Sequence, residues 1–174
     1  MSSIRNIVAT AKAIHAEIST EVGPPEEGLL ATTQTVIMMS LVRGTRGYIE
    51  KVSNQINGAY EDGWYDACAV MLRRLIETLI IETFEHHKIA NQIQNRAGDF
   101  LHLRDLIDKT LAEKSWNLSR NTKQALPKLK DVGDKSAHSR RYVAQRGDIQ
   151  PLIADIRTVV QELTYLSGLK KQAS

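Results

Sequence analysis

The chain has 174 residues, enough for one domain with a real core and cramped for two. Its 42% hydrophobic and 25% charged residues are ordinary globular material, and 5% aromatics with only four Pro and ten Gly favour helices over a β-sandwich or barrel. The net charge of +3 is mild, and the single Cys, Cys68, excludes an internal disulfide.

Residues 3 to 18 place Ile4, Ile7, Val8, Ala11, Ile14 and Ile18 at helical spacing behind Ser2 and Ser3, predicting a short amphipathic helix. "EVGPPEEG", residues 21 to 28, reads as a linker. A second helix is expected over 30 to 42, ended by "RGTRG". These pieces make residues 1 to 45 an N-terminal helical extension ahead of a bundle over 46 to 168, with 169 to 174 as a tail.

Ile49, Val52 and Ile56 predict a helix over 48 to 57. "NGAYEDG" then marks a helix–helix junction, since no alternating pattern flanks its Asn-Gly and Asp-Gly pairs. The strongest helix is "WYDACAVMLRRLIETLIIETFEHH". Its apolar face, Cys68, Met71, Leu72, Leu75, Ile76, Leu79 and Ile80, is widened by Ala67, Val70 and Ile81. So broad a face suits a central helix with neighbours on several sides. Arg73 or Arg74 can pair with Glu77, four and three residues on. Cys68 among these apolar neighbours predicts a buried thiol in a reducing compartment.

"KIANQIQNRAGD" reads as a connection, followed by a helix over 101 to 114. Pro127 then leaves two options: a short helix ends before it, or Pro127 opens the helix that carries "LKDVGDKSAH". The last helix steps through Ile149, Leu152, Ile153, Ile156, Val159, Val160, Leu163 and Leu166, with Asp148 as N-cap, Pro151 in the first turn and Gly168 as stop. The fold class is all-α: an antiparallel four-helix bundle with an N-terminal helical extension.

No apolar window is long enough to span a bilayer, and the N-terminus lacks the apolar run of a signal peptide, so a cytoplasmic protein without membrane contact is expected. No Cys/His cluster has zinc spacing, and no glycine-rich phosphate loop or nucleophile elbow is present, so neither a metal nor a cofactor is expected. His86 and His87 are adjacent and diverge by about 100° on a helix, which disfavours chelation.

Chemistry concentrates in "DVGDKSAHSRRY", residues 131 to 142. Leu126, Leu129, Val132, Gly133 and Ser136/Ala137 form a stripe that shrinks to small residues, fit for close helix approach. Lys130, Asp134 and His138 step by four along another face. There Asp134 can orient His138, while Lys135, Arg140 and Arg141 attract phosphate. From Arg120 to Arg146 there are eight Lys/Arg and only two Asp. A His beside cations is a minimal kit for metal-free RNA cleavage: the imidazole moves a proton and the cations stabilise charge on phosphorus. The competing reading is a solvated helix end.

Two segments together resemble the HEPN-like domain superfamily, in particular an uncharacterised prokaryotic branch. "INGAYEDGWYDACAVMLRRLIETLI" is similar to the central helix of those domains, and "LKDVGDKSAH" to the late helix whose "GN.AAH"-like string carries the signature His. The resemblance covers residues 46 to 168. It implies a four-helix bundle that forms a homodimer and, in active members, a metal-independent endoribonuclease at the dimer cleft, in a stress or phage-defence setting. Carried over, His138 matches the His and Asp134 the polar position. The upstream Arg is absent: Asp131, Val132 and Gly133 hold its positions, and Lys130, one residue further out, cannot make a bidentate guanidinium contact.

The expected function is thus binding of RNA or a nucleic-acid-associated partner, with weak ribonuclease activity. For that activity His138 and Asp134 are the catalytic candidates, Lys130, Lys135, Arg140 and Arg141 the phosphate-binding ones, and Arg74 and Glu77 supporting residues. The alternative is a noncatalytic dimeric interaction module or an antitoxin-like protein partner.

Overall fold

The computed structural model describes residues 35–170. Within them are α1 (Met39–Val42), α2 (Gly47–Glu61), α3 (Tyr65–His86), α4 (Leu103–Ala112), α5 (Arg120–His138), α6 (Arg146–Ile149) and α7 (Ile153–Leu166). Two 3₁₀ turns, Ala90–Ile93 and Gln150–Leu152, complete the helical content, and no β-strand occurs among the described residues. The expected helix over 3 to 18 and linker over 21 to 28 lie outside the described residues.

α3 is the hub and packs against α2, α4, α5 and α7. Cys68, Leu72, Leu75, Ile76, Leu79, Ile80 and Phe84 are buried along it. Met71, Val70 and Ile81 are half-buried, whereas Ala67 faces solvent. At its C-terminal end the Trp116 indole N–H donates to the Thr110 carbonyl at 3.2 Å, and its ring meets Phe84 with centroids 5.0 Å apart.

Several boundaries differ from expectation. Of the helix expected over 30 to 42, the described part is helical only over Met39–Val42, because Asn57 captures the chain just before it: Ile37 N–H donates to Asn57 Oδ1 at 2.8 Å, and Asn57 Nδ2 donates to the Ile37 carbonyl at 2.9 Å. α2 runs through Asn57-Gly58 to Glu61, since Ala59 and Tyr60 extend its buried face, and the junction narrows to Asp62 and Gly63, the latter at φ +76°. Asp148 is not an N-cap. It lies in the first turn of α6, where its carboxylate accepts from the Gln145 N–H at 2.8 Å, and a 3₁₀ turn holding Pro151 joins α6 to α7. Gly168 ends α7 at φ +64°, as its position predicts; a side chain there would also strike the His86 ring.

Neither option for Pro127 holds, because α5 continues through it. Ser119 caps the helix by accepting from the Thr122 N–H at 3.2 Å. Thr122, Ala125, Leu126, Leu129 and Gly133 then form one unbroken buried stripe on both sides of the proline, whose own ring is exposed. An interior proline costs a helix about 3 kcal/mol, and the packing of this stripe against α3 and α7 outweighs it.

Candidate functional site

The late helix reaches the hub at Gly133. A Cβ there would lie 2.7 Å from Arg73 Cβ and 3.2 Å from the Ala69 carbonyl oxygen. Only a glycine allows α5 this close to α3, so the small-residue stripe has its purpose at Gly133. Ser136 is half-buried, with its hydroxyl enclosed and unpartnered among the described residues. Ala137 is exposed and lies outside the contact.

The next residue, Asp134, receives two cations. Arg73 Nε lies 2.9 Å from its Oδ1 and Lys130 Nζ 2.7 Å from its Oδ2. Arg73 also reaches Glu77 Oε2 at 3.4 Å, and Lys130 reaches Asp131 Oδ1 at 3.5 Å. Burial pushes the Asp134 carboxyl up, but hydrogen bonds from Lys130 and Arg73, with their charges, outweigh it and hold it below the ordinary range. The hydrogen bond to Asp134 holds the Lys130 ammonium above its ordinary range.

This network bears on the roles expected of several residues. No contact joins Asp134 to His138 among the described residues. Position i+4 offers it that imidazole, but the half-buried guanidinium from α3 and the ammonium one turn back occupy both of its oxygens. Lys130 is paired with Asp134 and reaches Asp131, unlike the other cations expected to bind phosphate. Glu77 pairs with Arg73, while Arg74 is exposed and enters no ion pair among the described residues. Arg73 meets Glu77 as its spacing predicts, and its second partner, Asp134, is the one that the spacing does not give. The cue for it was Gly133 in the small-residue stripe, against which the stem of the Arg73 side chain packs.

His138 is the last residue of α5 and is exposed. Arg140 and Arg141 follow it, also exposed, in a connection tied down at two points. The Ala144 N–H donates to Asp66 Oδ1 at 3.0 Å, which fixes the connection to the first turn of α3. Tyr142, half-buried, has its hydroxyl pushed up to about 12 by burial and by its hydrogen bond to Asp148, so it stays protonated. Along α5 itself, Arg120, Lys123, Lys128 and Lys135 are exposed. Lys128 Nζ reaches Asp155 only at 3.9 Å. The one exposed acid on the helix is Asp131, which faces Lys130. A 19-residue helix is about 28 Å long, so these side chains set out an extended cationic surface that continues into Arg140 and Arg141.

Two further features lie elsewhere. A shallow groove of about 330 Å³ is lined by Gln150, Pro151, Ile153, Ala154 and Arg157, none of which is a predicted site residue. Glu82, on the buried face of α3, accepts from the Tyr48 hydroxyl and pairs with Arg46 Nε at 2.9 Å. Burial raises its carboxyl above the ordinary range, against the lowering effect of Arg46. A lone acid one turn past Leu79 in "LIIETF" is the sequence cue that marks it. His86 and His87 do not share a ligand: His87 Nε2 lies 3.1 Å from the Leu166 carbonyl oxygen and its ring packs on Trp116, while His86 covers Gly168. Among the described residues no group of three His, Cys, Asp or Glu is placed to hold a metal ion, and no helix is long and apolar enough to cross a membrane.

Comparison with family models, with curated proteins and with solved structures finds no match.

Proposed function

We propose that the chain is a HEPN-like helical protein that binds RNA through its phosphates and does not cleave it. In this reading α2, α3, α5 and α7 are the four helices of the bundle, and the protein acts as a homodimer, as the resemblance implies. The observation that carries the reading is the cationic surface of α5. Arg120, Lys123 and Lys135 are exposed and enter no ion pair among the described residues, and neither do Arg140 and Arg141. Cations at this density along one helix suit a sequence-independent track for a phosphate backbone.

Binding is favoured over cleavage because the catalytic kit is dispersed. His138 is left without an orienting carboxylate, and the guanidinium nearest Asp134, that of Arg73, is committed to Asp134 and Glu77. The test is filter binding and electrophoresis of varied RNAs in EDTA. The protein should retain RNA at low salt, with affinity falling steeply as salt rises, and should leave the RNA intact. His138→Ala should retain that affinity, whereas Lys123→Glu combined with Lys135→Glu should abolish it. Absence of RNA retention at low salt removes the binding reading. Cleavage that disappears in His138→Ala establishes the ribonuclease alternative.

A further inference from the structure

The cationic surface ends beside an exposed aromatic ring. Trp64 is 62% exposed and Val143 63%, the two most exposed large apolar side chains among the described residues. They belong to segments far apart in sequence that the fold joins. Asp66, two residues after Trp64, accepts from the N–H of Ala144, the residue after Val143, at 3.0 Å. Arg141 lies three residues before Ala144, and such a span covers at most about 10 Å of extended chain. Trp64, Val143, Arg140 and Arg141 therefore share one corner of the molecule, where α3 begins and α5 has just ended.

We propose that Trp64 is a base-stacking platform at the end of the cation track, and that the RNA bound there is single-stranded. The proposal rests on the RNA-binding reading above and adds the class of RNA. A cationic groove paired with an exposed aromatic ring is how proteins hold unpaired nucleotides: the cations follow the phosphates and the ring takes the face of a base. A duplex keeps its base faces stacked inside and offers the indole nothing. Trp64 has no other evident duty. Its backbone serves the fold, with its N–H donating to the Ala59 carbonyl at 2.7 Å and its own carbonyl accepting from Cys68 at 2.9 Å. Its side chain caps nothing. Glu61 and Asp62, three and two residues before Trp64, are exposed acids just before the Gly63 turn. Acids repel phosphate, so the corner between α2 and α3 is less favourable to the strand than the α5 side.

The chain has two tryptophans, and the other, Trp116, is only 9% exposed, so quenching of an exposed indole reports Trp64. The experiment titrates the full chain with oligouridylate and with a blunt RNA duplex, following fluorescence, affinity and sedimentation. The single strand should quench the emission and the duplex should not. Trp64→Ala should lose about 5- to 150-fold in affinity for the single strand, the range that loss of one base–aromatic stack gives, with duplex affinity unchanged. Trp64→Phe should recover part of the loss. Both variants keep the backbone bonds at position 64, and circular dichroism checks their folding. If wild type binds the single strand without quenching, and Trp64→Ala binds it equally well, the platform is overturned while the RNA reading stands. If wild type binds neither RNA, both fail together. If Trp64→Ala instead dissolves a dimer and leaves RNA affinity intact, the corner is an interface with a second copy and the platform is overturned.

Discussion

Replacing Gly133 by Ala tests the closest approach in the fold. The methyl group would lie 2.7 Å from Arg73 Cβ and 3.2 Å from the Ala69 carbonyl oxygen. Both atoms belong to or sit directly on the backbone of α3, so no flexible side chain can swing aside and the two helices must separate. Overpacking of this kind costs about 1–3 kcal/mol. Against it, Ala is favoured over Gly within a helix by about 1 kcal/mol. The balance is a net loss of up to about 2 kcal/mol, which lowers Tm by up to about 4–8 °C for a chain of this size. Gly58→Ala is the internal control. Gly58 also lies within a helix, α2, but a Cβ there meets nothing within 4 Å. That substitution should therefore keep the full propensity gain and raise Tm by about 2–4 °C. Thermal melts of the two variants beside wild type decide the matter. A Gly133→Ala protein that is as stable as Gly58→Ala would refute the close helix contact and with it the reason for the small-residue stripe.

Pro127→Ala restores an N–H that can donate to the carbonyl four residues back and removes a ring clash; urea melts should show a gain of about 1–3 kcal/mol, and a loss would mean that α5 is broken at this point. Asp134 is held below the ordinary range, so the stability it contributes is present at pH values above the unfolded Asp range and is lost as pH falls through its folded value. Asp134→Asn should accordingly flatten the acid limb of the stability–pH curve below about pH 4. Glu82 runs the other way, because burial raises its carboxyl. Its protonated form favours the fold, and this contribution fades as pH rises from the unfolded Glu range through the raised folded value. Glu82→Gln keeps an acceptor for the Tyr48 hydroxyl and leaves Arg46 half-exposed, so relative to wild type it should gain stability as pH rises from the unfolded Glu range through the raised folded value; denaturant melts in acid, below the unfolded Glu range, and at neutral pH measure the difference.

The linear pattern carried the elements whose burial is repetitive. α3 is legible because "LIETLII" and its flanks put apolar side chains on more of the helix than one neighbour can cover, and α7 because its apolar steps of three and four are uninterrupted. Gly133 and Gly168 were legible as a close contact and a stop, since glycine in those settings has few other uses. The polar site was only half legible. The sequence places Lys130, Asp134 and His138 on one helical face and can say that Asp134 has partners at i−4 and i+4. It cannot say which partner prevails, because that depends on Arg73, 61 residues away along the chain and brought to Asp134 by the crossing at Gly133.

Sequence alone therefore determined the all-α class of the described residues, where their apolar faces lie, and that cations gather between Arg120 and Arg146. These follow from periodicity and composition, which are local. The tertiary structure decided the rest: that α5 survives Pro127, that Asp134 serves Arg73 and Lys130 rather than His138, that Glu82 is buried against Arg46 and Tyr48, and that Trp64 stands beside the end of the cationic surface. Each is a competition or a juxtaposition between residues distant in the chain. Its outcome is set by packing and by which charges are brought within hydrogen-bond reach, and no local pattern encodes that.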